Sequence, residues 1–357
     1  MSRIFARSPY IIEVNVASSV ASKIEIFIWN NPGSAPTTPN YTLQKEIPSP
    51  TDLKMYYDVS PYIREYILWN TRQQIYNTIA ATDNSQWCNV TIKRYQQPSG
   101  GAMTLIDTTT YKGFDGYGYY SEGGNPDLGK FLLSAGTYYY HYDINQSPSS
   151  NTFMRAGSLV FERDATYNYK YTALNTGATN TGVISSGDVV EMPRVYTGFY
   201  SQGNKLEIIN SSAAVVATYT FKPKEECRYT PIVVDFVNKY GAWQREFFFK
   251  VSDTRISTSK SQYNLMQSSN ISWSTLEGQR KEFNANGIES LTARSGYVEE
   301  SFFESLQQMM LSERVVIGDL PVKVKSNSLT KQQNQVKKLI DYTIEFEYTF
   351  DMINSVI

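Results

Sequence analysis

Histidine and cysteine, which commonly supply nucleophiles, general bases and metal ligands, are scarce in this chain. It has one histidine, His141, and two cysteines, Cys88 and Cys227, which lie far apart in the sequence. A Ser-His-Asp or Cys-His arrangement would have to use His141, and a structural zinc site needs about four ligands. His141 stands in an aromatic segment without a neighbouring His or Cys, so we expect a structural role. We therefore predict no catalytic triad, no metal centre and no cofactor.

The two cysteines do not form a disulfide framework. The sequence leaves a single long-range bridge open, and we favour two free, buried thiols, which is the common state of such cysteines. Paired carboxylates are the catalytic arrangement that the sequence leaves open, because the two acids of a glycosidase can be distant in the chain. Asp115 and Glu122 are candidate oxygen ligands for calcium, but their spacing is not that of an EF-hand loop.

Residues 113–124 form the most distinctive local run, GFDGYGYYSEGG. Glycine weakens regular structure, so one interpretation is a long loop ordered by its own aromatic rings. The other is a projecting contact loop, in which tyrosine supplies contact area and glycine supplies shape. On this second interpretation, we predict that four side chains form assembly contacts: Phe114, Tyr117, Tyr119 and Tyr120.

The bulk composition excludes several classes of protein. Of the 357 residues, 33 are basic and 34 are acidic, so there is no basic excess to attract nucleic acid. No uninterrupted apolar stretch of about 18 residues is present, so we expect no membrane span. We also expect no signal peptide, because no apolar segment follows the first charged residues. Aromatic residues make up 14% of the chain and include 28 tyrosines, which suit sheets and half-wet interfaces.

Period-two alternation of apolar residues predicts strands over much of the chain, for example at 12–16 and 24–28. Ser60 as a cap, with Pro61 at the first helical position, predicts a short helix between strands. Apolar runs at 232–237 and 243–249 flank Asn238-Lys239-Tyr240-Gly241, which predicts a tight hairpin. The polar stretch 252–260 is predicted to end this β region.

The last hundred residues contain a segment with helical spacing of apolar residues, in contrast to the strands predicted before it. Helical spacing predicts an amphipathic helix, with Glu299 and Glu300 in its first turn. Its apolar face comprises Val298, Phe302, Phe303, Leu306, Met309 and Met310. The closing stretch 339–350 alternates again, which predicts a strand with Glu345 and Glu347 facing solvent.

Together these patterns predict a mainly β chain. We expect an N-terminal β-sandwich domain at 1–160, which contains the Gly/Tyr-rich loop, and a second β-sandwich-like domain at 161–255. A small α+β C-terminal domain with one amphipathic helix is expected at 256–357.

Several stretches together resemble a family of tail-associated virion structural proteins from phages that infect Bacteroidota. They are residues 57–67 (YDVSPYIREYI), 227–232 (CRYTPI), 234–244 (VDFVNKYGAWQ), 296–313 (GYVEESFFESLQQMMLSE) and 342–348 (YTIEFEY). The resemblance spans most of the chain, but it does not include 113–124 or 145–158. Its motifs are packing patterns, and no catalytic residue is carried over from them.

The resemblance implies a non-enzymatic component of the virion tail, made in the host cytoplasm and placed in the tail tip, baseplate or fibre-attachment region. The implied partners are copies of the chain and other virion tail proteins. One alternative is a tail module that binds host-surface glycan through an exposed, shallow aromatic groove. A further alternative is a carboxylate-based glycan hydrolase, which would need two acids about 5–10 Å apart in a cleft.

Overall fold

The computed structural model describes residues 2–30, 33–49, 51–67, 79–81, 86–142, 156–185, 187–226, 228–264, 279–331 and 339–354. Cys227, one of the two predicted free thiols, lies outside this set. The described residues form 24 strands and two short α-helices, so the prediction of a mainly β chain is confirmed.

The chain groups into two compact units. The first comprises Met1–Glu225 and Phe236–Glu246, and the second comprises Glu226–Asp235 and Phe247–Ile357. The predicted division into three domains, with boundaries at 160 and 255, stays a prediction.

The elements up to residue 225 belong to the first unit. They are β1 (Ser2–Phe5), β2 (Ile11–Asn15), β3 (Ser19–Trp29), β4 (Tyr41–Glu46), β5 (Lys54–Asp58), α1 (Ser60–Tyr66), β6 (Ala80–Ala81), β7 (Trp87–Pro98), β8 (Thr104–Phe114), β9 (Gly136–Tyr142), β10 (Ser158–Glu162), β11 (Tyr167–Ala173), β12 (Thr179–Ile184), β13 (Val189–Pro193), β14 (Asn204–Ile209) and β15 (Val215–Glu225). Short 3-10 turns lie at Tyr120–Glu122 and Thr197–Phe199.

A five-stranded sheet, in the order β1-β8-β7-β3-β4, forms one wall of the first apolar core. The antiparallel pair β2-β5 and helix α1 contribute the other apolar side chains. The predicted alternation is observed here, because Ile12 and Val14 of β2 and Ile24 and Ile26 of β3 are buried in this core. The spacing of these residues therefore reflects one buried face on each strand.

Helix α1 begins close to the predicted position, but its cap differs from the expectation. Ser60 is the first helical residue, and the Asp58 carboxylate accepts from its backbone N (3.0 Å) and its hydroxyl (2.6 Å). Asp58 therefore does the capping that we assigned to Ser60. Ile63 packs over Gly113, where a Cβ would lie 2.6 Å from the Ile63 methyl carbon, so glycine lets the helix approach β8.

Two further sheets in the first unit run in the orders β10-β13-β6 and β12-β11-β14-β15-β9. Arg194, just after β13, is buried, and its guanidinium donates to the carbonyls of Ser158 (3.0 Å) and Arg245 (2.9 Å). The same group lies 5.0 Å from the ring centroid of Tyr138. These contacts give the buried cation polar and aromatic neighbours, which such a charge needs.

The remaining elements are β16 (Ile232–Val237), β17 (Trp243–Phe248), β18 (Asp253–Asn264), β19 (Arg280–Arg294), β20 (Val298–Glu299), α2 (Phe302–Met310), β21 (Val315–Ile317), β22 (Leu320–Val324), β23 (Leu339–Ile340) and β24 (Thr343–Tyr348). Seven of these strands form one sheet in the order β17-β16-β21-β22-β24-β19-β18, and β20 pairs with β23. The tip of the β16–β17 hairpin, 236–246, groups with the first unit.

Three of the six residues predicted for the apolar face of α2, Phe302, Leu306 and Met309, are buried on the helix. Phe303 and Met310 are half-buried, and Val298 lies on β20, before the helix. Helix α2 begins at Phe302, so Glu299 and Glu300 precede the helix instead of occupying its first turn. The difference arises because Val298 and Glu299 pair with β23, and this pairing holds the chain in extended conformation.

Strand β24 also alternates as its sequence indicates. Ile344 and Phe346 are buried, while the carboxylate of Glu345 lies 3.0 Å from the Lys325 ammonium. Glu347 forms an ion pair of 2.6 Å with Lys323. The two acids are therefore partners of lysines on the outer face of the sheet.

Candidate interaction surfaces

The Gly/Tyr-rich run at 113–124 packs on the turn of the β16–β17 hairpin. The backbone N of Tyr117 donates to the carbonyl of Lys239 at 2.8 Å. A Cβ at Gly116 would lie 2.6 Å from the same carbonyl oxygen, and one at Gly241 would lie 2.8 Å from the backbone N of Asp115. Two glycines thus allow the two backbones to touch, and Gly241 also holds the turn at φ +78.

Charged side chains fasten the distal half of the run. The Lys239 ammonium lies 4.1 Å from the ring centroid of Tyr119 and forms an ion pair with Glu122. Glu122 also accepts from the backbone N of Tyr119 at 2.6 Å. Arg7 lies 4.6 Å from the ring centroid of Tyr117, whose ring meets that of Tyr119 edge to face. The run is therefore an ordered loop with cation–π and aromatic contacts.

The four side chains predicted to form assembly contacts have different environments. Phe114 is 1% exposed and Tyr117 is 9% exposed, so both rings belong to the interior of the first unit. Tyr119 is half-buried, and Tyr120, on the 3-10 turn, is fully exposed. Tyr120 is thus the member of the set whose whole ring is accessible to another molecule, and the assembly role of the four stays a prediction.

Strands β18 and β19 form a long two-stranded ribbon in the second unit. Their register runs from Asp253–Thr292 to Asn264–Arg280, whereas β19 pairs with β24 only from Ser290 to Arg294. All twelve residues of β18 are exposed, and β18 is the edge strand of its sheet. The prediction that 252–260 ends the β region is therefore wrong, because cross-strand pairing makes this polar stretch a strand.

Exposed apolar side chains line this ribbon and the tail that follows β24. The rings of Tyr263 and Phe283 meet edge to face at 5.6 Å. A Cβ placed on Gly287 would lie 3.5 Å from Ile256 and 3.1 Å from the Met352 sulfur, so these two side chains flank one glycine. The exposed apolar set comprises Ile256, Tyr263, Phe283, Phe350, Met352 and Ile353.

A pocket of about 210 Å³ opens in the first unit near the edge strand β12. Its described lining comprises Ile79, Tyr169, Tyr171, Asn180, Pro193, Val195, Tyr196 and Thr197. Three tyrosines contribute to it, and none of these eight side chains carries a charge at neutral pH. The sequence indicated an aromatic-rich fold, but only strand pairing and the segment after β13 bring these tyrosines together.

The side chains considered for chemistry have structural partners. Asp115 forms an ion pair with Arg64 (3.4 Å) and Glu122 with Lys239, so each of the two candidate calcium ligands is matched by a cation. Among the described residues, no group of three His, Cys, Asp or Glu is arranged to hold a metal ion. Burial raises the pKa of the Cys88 thiol to about 12, so this thiol is protonated at neutral pH.

No helix in the described part of the chain is long and apolar enough to cross a membrane. In comparisons with known proteins, no family model matches the chain, and a search of curated proteins also gives no match.

Proposed function

We propose that this chain is a structural subunit of a phage tail, in the tail tip, baseplate or fibre-attachment region, and that it acts through protein–protein contacts without catalysing a reaction. The observation that carries the proposal is the β18–β19 ribbon, with its fully exposed edge strand and its apolar side chains. The resemblance of 57–67, 234–244 and 296–313 to tail-associated virion proteins supplies the biological setting.

The ribbon has the properties of a surface that another protein covers. A two-stranded hairpin alone is marginally stable in water, and an open strand edge offers N–H and C=O groups to a further strand. Six exposed apolar side chains on the ribbon and tail add contact area of the kind that marks interaction sites. Addition of a strand to an exposed sheet edge is a known mode of protein recognition, and β18 offers such an edge. The partners that we propose are copies of this chain and other virion tail proteins.

The finer architecture belongs to the same proposal. We infer two β-sandwich-like domains, 1–160 and 161–255, followed by an α+β domain at 256–357, as rigid building blocks of the assembly. Support for the sandwich layers comes from the core between the β1-β8-β7-β3-β4 sheet and the β2-β5 pair with α1.

Tyr120 is proposed as a second contact point, on the first unit. Removing residues 115–123 is a poor test of this role, because the deletion would also remove the buried Tyr117 and the ion pair between Glu122 and Lys239. Replacing Tyr120 by alanine changes only an exposed ring and leaves the loop anchored.

The ribbon is tested by Ile256→Lys, with Val183→Lys as the matched control. Both side chains are exposed and β-branched, and each lies on an edge strand, Ile256 on β18 and Val183 on β12. The purified full chain is expected to form a discrete oligomer by light scattering. Ile256→Lys should shift the measured mass toward that of the monomer, because a lysine on an edge strand opposes strand addition. Val183→Lys should leave the mass unchanged, because β12 is not the proposed contact edge.

Imaging of virions with a labelled chain provides the functional arm of this test. The proposal expects the chain at the tail. A wild-type chain that is monomeric at all accessible concentrations and absent from particles would refute it.

A further inference from the structure

We propose that the tyrosine-lined pocket of the first unit binds a single neutral saccharide ring, such as the terminal hexopyranose of a glycan. This binding activity is independent of the assembly contacts proposed above, because no residue of the pocket belongs to the ribbon or to 113–124. Three properties of the pocket support the proposal: its aromatic walls are held in place, its described lining carries no charge, and its volume suits one ring.

The aromatic walls are held in place by the fold. The Tyr171 hydroxyl donates to the carbonyl of Pro193, and the Tyr171 ring lies 6.0 Å from that of Tyr196 and 5.5 Å from that of Tyr169. The backbone N of Tyr196 donates to the buried side chain of Asn204 at 3.0 Å. The site is therefore formed before a ligand arrives, which limits the ordering cost of binding.

Glycine at position 182 explains how one wall is built. Gly182 is the cross-strand partner of Tyr169, and a Cβ there would lie 2.4 Å from the Tyr169 hydroxyl oxygen. The Tyr169 ring thus lies flat across the neighbouring strand β12. Any other residue at 182 would displace this ring and change the shape of the pocket.

The described lining has no charged side chain that could pair with an anion. Its described side chains include three aromatic rings, three aliphatic residues and two neutral hydrogen-bonding groups, the Asn180 amide and the Thr197 hydroxyl. An anion would lose hydration without gaining an opposite charge, which is costly. A cation is attracted by aromatic ring faces, so the choline probe below separates a cationic ligand from a saccharide. A saccharide ring has the complementary character, because its C–H groups suit the electron-rich ring faces and its hydroxyls suit an amide and a hydroxyl.

The volume limits the ligand to one ring. A pocket of about 210 Å³ is smaller than the roughly 300–1,000 Å³ clefts that hold drug-sized molecules. A ligand with so few atoms binds weakly, with a dissociation constant of roughly 1 mM. Weak sites of this kind gain strength when many copies act together, and a multimeric subunit would supply such copies.

The test uses the full chain and ligand-observed NMR, with glucose, galactose, mannose and N-acetylglucosamine at about 10 mM, above the affinity expected for one ring. Choline and acetate serve as cationic and anionic probes. At least one neutral sugar is expected to show saturation transfer, with Asn180→Ala and Tyr196→Ala each weakening it. Loss of one stacking ring should reduce the affinity by about ten-fold.

Tyr56→Ala is the control, because it removes an exposed tyrosine of the same unit that neither lines the pocket nor belongs to the proposed assembly contacts. If Tyr196→Ala perturbs the circular dichroism spectrum, Asn180→Ala and Thr197→Ala decide the result. The proposal is overturned if no neutral sugar binds, if choline or acetate binds in preference, or if binding survives unchanged in the pocket variants.

Discussion

Replacing Gly241 by alanine should damage the first unit far more than the same change at Gly177. Both glycines have positive φ, +78 and +68. Around Gly177 no atom lies within 4 Å of an added Cβ, whereas at Gly241 that Cβ would meet the backbone N atoms of Asp115 and Gly116 at 2.8 Å. The pair of variants therefore separates the cost of the backbone conformation from the cost of the close approach.

The expected magnitudes follow from these distances. A left-handed conformation costs alanine about 1–2 kcal/mol, and the lower entropy of the unfolded chain offsets about 0.4–1 kcal/mol of this. Gly177→Ala should therefore lower the free energy of unfolding by about 1 kcal/mol or less. Gly241→Ala adds an overpacking cost of about 1–3 kcal/mol, because backbone atoms cannot rotate away as side chains do. Its total loss should be about 1–4 kcal/mol.

Urea unfolding measures the global loss, and amide hydrogen exchange measures the local one. Exchange of the Tyr117 amide, which donates to the Lys239 carbonyl, should accelerate in Gly241→Ala and stay unchanged in Gly177→Ala. Equal destabilisation by the two variants, or normal protection of the Tyr117 amide in Gly241→Ala, would refute the backbone contact between the run 113–124 and the hairpin turn.

Other consequences concern buried polar groups. Arg3→Ala leaves the buried Glu162 carboxylate without the ion pair at 2.5 Å and should cost about 3–5 kcal/mol at pH 7. Burial raises the pKa of Glu162, so its protonated form is favoured in the folded state and stability from this group falls as pH rises through that pKa. The penalty of Arg3→Ala should thus be smaller at pH 4 than at pH 7 in calorimetry, and a pH-independent penalty would contradict the burial of the charge. Asn238→Ala should lower the free energy of unfolding in urea by about 2–4 kcal/mol. Two backbone N–H groups of the hairpin turn and the Leu132 carbonyl lose their hydrogen-bond partner in this variant. A decrease below about 0.5 kcal/mol would contradict the importance of these bonds. Cys88 should resist iodoacetamide at pH 8 in the native protein and react in urea, as measured by peptide mass spectrometry. The reason is that a buried thiol with a pKa of about 12 offers almost no thiolate. Rapid labelling of the native protein would contradict the burial of this thiol.

Local sequence patterns were sufficient for individual elements. The Asn238–Gly241 turn of the β16–β17 hairpin and the buried face of α2 follow from residue types and spacing over fewer than twenty positions. The outward orientation of Glu345 on β24 follows in the same way. Such patterns are informative because a strand or helix repeats its exposed and buried positions with a fixed period.

The candidate surfaces depended on contacts between distant parts of the chain. Composition alone left two interpretations of the run 113–124 open. Contacts with distant parts of the chain, including the hairpin turn more than a hundred residues later, decided that Phe114 and Tyr117 are interior. All residues of β18 are exposed, so its sequence shows no apolar face. Only its pairing with β19 identifies it as a strand.

The sequence by itself determined that this chain is mainly β, where its main hairpin turns, and which face of its C-terminal helix is apolar. Only the tertiary structure decided which tyrosines are interior, which edge strand is open, and which three tyrosine rings line one pocket. The physical reason is that periodicity records whether a residue is buried, whereas the identity of its neighbour depends on long-range strand pairing that no local window contains.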